Sequence, residues 1–399
     1  MRNAWTFTSA GSIVFGNGSL QRLPGIVERF KVTRVAVVTD KGIIQAGLLQ
    51  PLLTVLEQAD IQPTVYQQET TEPSVASVSA CFTELKKSSP ELFIALGGGS
   101  SIDLAKMTSL LLSHGGPLSD YYGENRVPGA IRPVIAIPTT AGTGADVSPV
   151  AVVTDDETKL KIGISDQNLR PAVSLLDPEL TLKLPPYLTA CTGMDALSQA
   201  IEAYFAKDHR YIEAGDNVIY QGGNPLSDQL AEKAIELIGR NLQLAVHQGS
   251  HLEARANMML GNLFSALAFT NSGTSLIHAL AYPIYEISER PHGEIIALLL
   301  PYVMQYNASV CTEKFARIAE LLRVTTGGET AGQKAEQAIS AVFQLVADLG
   351  LPTKLSEIGI EHDDIPGIVA KALPLERLVR LNPRTAVAKE VEEVLYQAL

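Results

Sequence analysis

The sequence predicts an α/β domain over residues 1–182 followed by an all-helical domain over residues 183–399. Three observations carry that division. Short apolar runs alternate with helical patterns through the first half, as in a parallel sheet with helices on both faces. Two of those runs end in polar, glycine-containing segments, GGGSSIDLAK and PTTAGTGAD. After the turn-rich segment DPELTLKLPPYL, long stretches of helical periodicity take over and strand patterns become scarce.

Taken in order, RVAVVTD (34–40) is Val-rich and ends in a turn signal, and VYQQET (65–70) is a weaker strand. LFIALGGGS (92–100), PVIAIPTT (133–140) and AVVTD (151–155) complete the strand set. Helices are expected over 43–57, 74–87 and 101–114, and in the second half over 192–204, 226–247, 252–269 and 313–322. The polar stretch AKDHRYIEAGDNVIYQGGN (206–224) reads as a long surface loop between two helices. Neither repeats nor low-complexity tracts interrupt the chain.

The 399 residues are 46% apolar and 19% charged, an ordinary globular balance. A formal charge of -12 disfavours nucleic acid and anionic membranes as partners. The apolar runs, such as Ile295 to Leu300, are too short to span a bilayer. Cys81, Cys191 and Cys311 are widely spaced and odd in number, so they are expected as buried thiols in a reducing compartment. Polar residues and glycines interrupt the first twenty positions, which leaves no signal-peptide core. A cytoplasmic location follows as the expectation.

Gly97–Lys106 follows a strand and opens a helix. Glycines there let a ligand approach the backbone, and the first N–H groups of the helix favour a diphosphate. The spacing is neither the common dinucleotide pattern nor the Walker loop, so a plain turn stays open. PTTAGTGAD adds the hydroxyls of Thr139, Thr140 and Thr143, and two such loops after neighbouring strands are placed to line one crevice. Asp103 is counted with these cofactor-binding residues. Asp40, at the end of its strand, is placed to accept from ribose hydroxyls and to repel a 2′-phosphate, which favours NAD over NADP. A turn or cap role is the alternative for Asp40.

Asp195 and Gln199 are four apart in TGMDALSQAIEAY and share a helix face. A carboxylate among apolar neighbours needs a partner. His278, in NSGTSLIHAL, and His292, in ERPHGEI, lie fourteen residues apart. One carboxylate and two imidazoles suit a divalent cation, Fe(II) or Zn(II), and leave a position open for catalysis. Each His also has a plain structural reading, as a core, cap or turn residue.

These motifs, from FTSAGSIVFGNGSL through TGMDALSQAIEAY and RPHGEIIALLLPYV to NPRTAVAKEV, resemble the iron-dependent (group III) alcohol dehydrogenases and the glycerol dehydrogenase superfamily around them. The resemblance spans nearly the whole chain. It implies a Rossmann-like nucleotide domain and a helical domain, the dehydroquinate synthase-like fold, with cofactor, metal and substrate held in a cleft. It further implies that Gly97, Gly98, Gly99 and Ser100 contact the diphosphate and that Thr139, Thr140 and Thr143 line the nicotinamide side. Asp40 then selects NAD, and Asp195, His278 and His292 are metal ligands. The expected activity is metal-assisted hydride transfer between a nicotinamide cofactor and a small alcohol or aldehyde, by a homo-oligomer.

The chain departs from the family at several points. Gln199 stands where the usual set has a further His, and a neutral amide is expected to be a poor ligand that does not replace it. Tyr282 stands where many members carry a non-ligand His, and is a candidate for proton relay. ADV replaces SEV after the AGTG turn, and the 206–224 segment is long. Gln199 keeps open a metal-independent reductase resembling maleylacetate reductase. A non-enzymatic NAD-binding protein and a lyase of the dehydroquinate synthase type are the remaining alternatives.

Overall fold

The computed structural model describes residues 2–69, 72–156, 161–213, 215 and 218–399. Two compact units divide the chain. One comprises Thr8–Leu184 with Asn217–Ile219; the other comprises Pro185–Asp216 and Tyr220–Leu399 with Met1–Phe7.

The first unit is α/β. Its strands are β1 (Ser12–Phe15), β2 (Val35–Asp40), β3 (Thr64–Gln68), β4 (Leu92–Gly97), β5 (Gly123–Glu124), β6 (Val134–Pro138), β7 (Val150–Thr154), β8 (Lys161–Ser165) and β9 (Val173–Leu176). Its helices are α1 (Leu23–Glu28), α2 (Lys41–Gln45), α3 (Leu49–Glu57), α4 (Val75–Leu85) and α5 (Gly99–His114). Six strands form a parallel sheet in the order β1-β9-β6-β4-β2-β3. The two-residue alternation of strand side chains fills a core on each face. Ala36, Val38, Phe93, Ala95, Val134 and Ala136 pack into one cluster. Val35, Val37, Leu92, Ile94, Leu96, Ile135 and Ile137 pack into the other.

This order has a reversal at β2. From β2 the chain steps outward to β3 and then returns to the opposite side of β2 as β4. Ligands of open parallel sheets bind at the carboxyl ends of strands where the order reverses in this way. Asp40 ends β2 and Gly97 ends β4, so both lie at the reversal.

Two expectations need correction here. AVVTD is not part of the parallel sheet: β7 pairs antiparallel with β8 in a separate three-stranded sheet. The helix expected over 43–57 is two helices, α2 and α3, because Gly47 takes a left-handed conformation (φ +70°) between them.

The second unit is helical. Its helices are α6 (Pro186–Phe205), α7 (Pro225–His247), α8 (Leu252–Ser272), α9 (Leu276–Ser288), α10 (His292–Leu321), α11 (Ala331–Asp348), α12 (Ile365–Ala372), α13 (Glu376–Val379) and α14 (Ala388–Ala398). α10 is long and apolar enough to cross a bilayer by length and composition, beyond what short runs such as Ile295 to Leu300 suggested, but 72% of its most apolar window is buried in the fold. It is a core helix of this unit. The 206–224 segment connects α6 to α7 but is not simply a surface loop. Ile212, Ile219 and Tyr220 are buried, and Asp208 bridges to Gly223. Residues 214, 216 and 217 of that segment lie outside the described residues. All three cysteines are free and buried, as expected.

Candidate functional site

α6 carries Asp195 and Gln199 on one face, α9 carries His278 and Tyr282, and α10 begins on His292. A short turn through Glu289, in a left-handed conformation, joins α9 to α10 and brings the two histidines together. Their ring centroids are 5.5 Å apart. The ligand atoms of Asp195, His278 and His292 all lie within 4.8 Å of one another. His278 Nε2 stands 3.7 Å from Asp195 Oδ1. Donors around a tetrahedral Zn(II) or Fe(II) sit about 3.4 Å apart, from metal–ligand bonds of about 2.1 Å.

Whether a cation suits these residues is answered by Asp195 itself. It is 3% exposed, and its Oδ1 has no hydrogen-bond partner. A buried carboxylate oxygen left unpaired is costly unless a positive charge meets it. Gln199, 4% exposed, repeats the pattern one turn away: its Oε1 is buried and has no donor.

Glu202 completes the face, seven residues beyond Asp195, and is fully buried. Its Oε1 accepts from Ser275 N (3.0 Å), Ser275 Oγ (2.9 Å) and Ile277 N (3.1 Å), which caps the start of α9. Its Oε2 contacts His278 Nδ1. That contact directs an Nδ1 proton to Glu202 and turns Nε2 toward Asp195, the orientation that supports a metal-bound histidine. Burial opposes an imidazolium at His278, but Glu202 and Asp195 outweigh it and push the group up to about 10. Asp195 is raised by burial, against the pull of His278. Both shifts describe a pocket with two carboxylates and room for positive charge beside Nε2. Sequence reading missed Glu202, although its i+7 spacing from Asp195 put it on the ligand face.

Tyr282 stacks on His292, with ring centroids 6.3 Å apart, and its hydroxyl accepts from Arg377 at 3.3 Å. Beside His292, α10 crosses α6 at the closest possible range. A Cβ on Gly293 would lie 2.3 Å from the Cys191 carbonyl oxygen, so only glycine lets His292 come this near Asp195. Glu294, also buried, accepts from the Tyr187 hydroxyl.

In the α/β unit the two polar loops do meet. Thr139 N donates to Gly97 O at 3.0 Å. Gly98 lies against Thr140 and Gly99 against Thr143. Gly97 has φ +152°, and a Cβ there would strike Ser101 Oγ at 2.4 Å. α5 starts from Gly98 without a side-chain cap, so its first N–H groups are presented by backbone alone. Ser100 is the second residue of that helix. Asp40 caps α2, accepting from Ile43 N, and also accepts from Ser101 Oγ, both at 3.0 Å. The cap reading of Asp40 is therefore correct, and it places the carboxylate beside the glycine loop.

Asp103, expected among the cofactor-binding residues, lies in the first turns of α5. It turns to β7, accepting from Val152 N at 3.0 Å, and lies 3.7 Å from the buried Lys106 Nζ. Lys106 donates to Ser148 O (3.0 Å) and Val150 O (2.8 Å). Burial pushes Asp103 up to about 6 and Lys106 down to about 8. The pair fastens α5 to β7 from inside the unit.

Family matches cover both halves of the chain. The family described as "Iron-containing alcohol dehydrogenase" matches residues 10–178, and "Fe-containing alcohol dehydrogenase family, C-terminal" matches residues 189–399. NAD-dependent methanol dehydrogenase of Bacillus methanolicus is 32% identical over 386 residues, covering 97% of each chain. 1,3-Propanediol dehydrogenase of Citrobacter freundii is 36% identical over 367 residues, covering 92% of this chain and 91% of its own. A crystal structure of a 1,3-propanediol oxidoreductase superposes with a TM-score of 0.93 at 32% identity, covering 100% of both chains. With both halves matched and the Asp–His–His cluster assembled, the chain belongs to the iron-containing alcohol dehydrogenase family and is an oxidoreductase of alcohols and aldehydes.

Proposed function

We propose that this chain moves hydride between NAD and a small, hydrophilic alcohol or its aldehyde, with Fe(II) or Zn(II) held by Asp195, His278 and His292. The observation that carries the reading is the gathering of three ligand atoms within 4.8 Å around a buried carboxylate oxygen that has no hydrogen-bond donor. Similarity to a methanol and a 1,3-propanediol dehydrogenase supports a short, polar substrate. Tyr282 and Gln199 add polar groups beside the triad.

Each group of the chain has a defined task. Gly97, Gly98, Gly99 and Ser100 receive the diphosphate at the start of α5, where backbone N–H groups and the helix dipole favour negative charge. Thr139, Thr140 and Thr143 line the nicotinamide side, and Asp40 accepts from the ribose. Glu202 keeps the His278 proton on Nδ1, and Tyr282 lines the site and is a candidate for proton relay. When bound, the cation supplies a Lewis acid that polarises the alcohol or carbonyl oxygen.

The metal-independent reading that Gln199 raised leaves the orphaned oxygens of Asp195 and Gln199 unexplained. Metal analysis of protein purified without added metal, beside His278→Ala, separates the two. We expect near-stoichiometric metal in the parent and its loss in the variant, with activity abolished by chelation. Full metal occupancy in His278→Ala, or full activity after chelation, would refute the metal reading. We also propose a homo-oligomer formed along β1, which among the described residues pairs with β9 alone and exposes Ile13 and Phe15. A monomer by light scattering at micromolar concentration would count against it. The three unpaired buried thiols support a cytoplasmic location.

A further inference from the structure

We propose that Gln199 is itself a metal ligand through Oε1, and that this neutral oxygen shifts the site's preference toward harder cations such as Mn(II). The inference rests on the Asp195–His278–His292 reading and extends it.

The argument begins with two unpaired acceptors. Asp195 Oδ1 and Gln199 Oε1 are both buried without a hydrogen-bond donor, and they lie one helical turn apart on one face of α6. Buried polar atoms in folded proteins are nearly always satisfied, so two adjacent exceptions point to a shared missing partner. That partner must offer positive charge to both. A cation placed for Asp195 and the two imidazoles does so.

The orientation of the amide follows from the same electrostatics. The Gln199 amide follows the Asp195 carboxylate by one helical turn on the same face of α6. A carboxylate accepts only from the NH2 end, because the flipped amide would set oxygen against oxygen. With its nitrogen toward Asp195, the amide leaves Oε1 without a donor.

The chemistry of the set then changes. Asp195 and Gln199 contribute two oxygens, and His278 and His292 two nitrogens. Imidazole suits Fe and Zn, whereas carboxylate and carbonyl oxygens suit Mn and Mg. Two oxygens and two nitrogens place this site between those classes and weaken its hold on Zn(II) relative to a site with a further imidazole.

The test is metal binding by the apoprotein without substrate, read by competition with a chromophoric chelator for Mn(II) and Zn(II) and by the visible spectrum of the Co(II) form. Gln199→Leu should bind Mn(II) about tenfold more weakly or worse, and its Co(II) spectrum should change. Gln199→His should bind Zn(II) more tightly, with the Mn(II)-to-Zn(II) preference falling about tenfold. Unchanged Mn(II) affinity in a folded Gln199→Leu overturns the assignment. If that variant does not fold, an unchanged metal preference in Gln199→His overturns it instead. Retention of metal by His278→Ala is a different failure, since it removes the three-residue centre itself.

Discussion

Glu202 Oε2 holds His278 Nδ1 from two helical turns beyond Asp195 on the same face of α6. One helix thus supplies both a metal-facing carboxylate and the carboxylate that aims a metal-facing imidazole. Glu202 also caps α9 through Ser275 and Ile277, so the helix that carries His278 is registered against the helix that carries Asp195.

The first prediction concerns Glu202→Gln. Three donors already converge on Oε1, so the amide oxygen of a glutamine takes that end. Its NH2 then faces His278 Nδ1, which forces the ring proton to Nε2 and closes the lone pair that faces Asp195. Metal affinity should fall roughly ten- to a hundredfold. Metal content after dialysis against a graded chelator measures this. Wild-type retention would show that the contact does not orient the ring.

A second prediction concerns Gly293→Ala. The new methyl would meet the Cys191 carbonyl oxygen at 2.3 Å, and a backbone atom cannot rotate aside. The start of α10 must move off α6 and carry His292 with it. Destabilisation of about 1–3 kcal/mol is expected from overpacking, measured by denaturant unfolding. Metal occupancy should fall as well. Unaltered stability and occupancy would mean that the two helices separate more easily than their packing implies.

The third concerns cofactor choice. Asp40→Asn keeps an N-cap of equal quality for α2 but removes the charge that would repel a 2′-phosphate. The kcat/KM with NADPH should rise about tenfold, equivalent to roughly 1.4 kcal/mol of relieved repulsion, while thermal stability stays nearly constant. Steady-state kinetics with both cofactors decide it. A parent enzyme that already prefers NADPH would remove the role assigned to Asp40.

Much of this was legible in the chain. The Val-rich run ending at Asp40 and the apolar run entering Gly97 are strands with glycine or acidic ends, because a two-residue alternation and a turn signal are local properties. Asp195 and Gln199 share a face because helical periodicity alone requires it; the same periodicity puts Glu202 on that face, but an isolated glutamate seven residues on carries no motif to single it out. AVVTD looked like another strand of the parallel sheet because alternation reports a strand and not its partner. Asp103 is grouped with the cofactor-binding residues because it follows the glycines in GGGSSIDLAK; only the packing of α5 on β7 turned it to Val152 and Lys106.

What the sequence determined by itself is therefore the set of elements, their apolar faces and the polar groups each one carries, since these follow from short-range sterics and spacing. Only the tertiary structure decided which faces meet. His278 and His292 reach Asp195 through a left-handed turn at Glu289 and a helix crossing that Gly293 alone permits. Buried polar atoms settle their partners at such crossings, where desolvation makes every unpaired donor or acceptor costly and leaves few arrangements that satisfy them all.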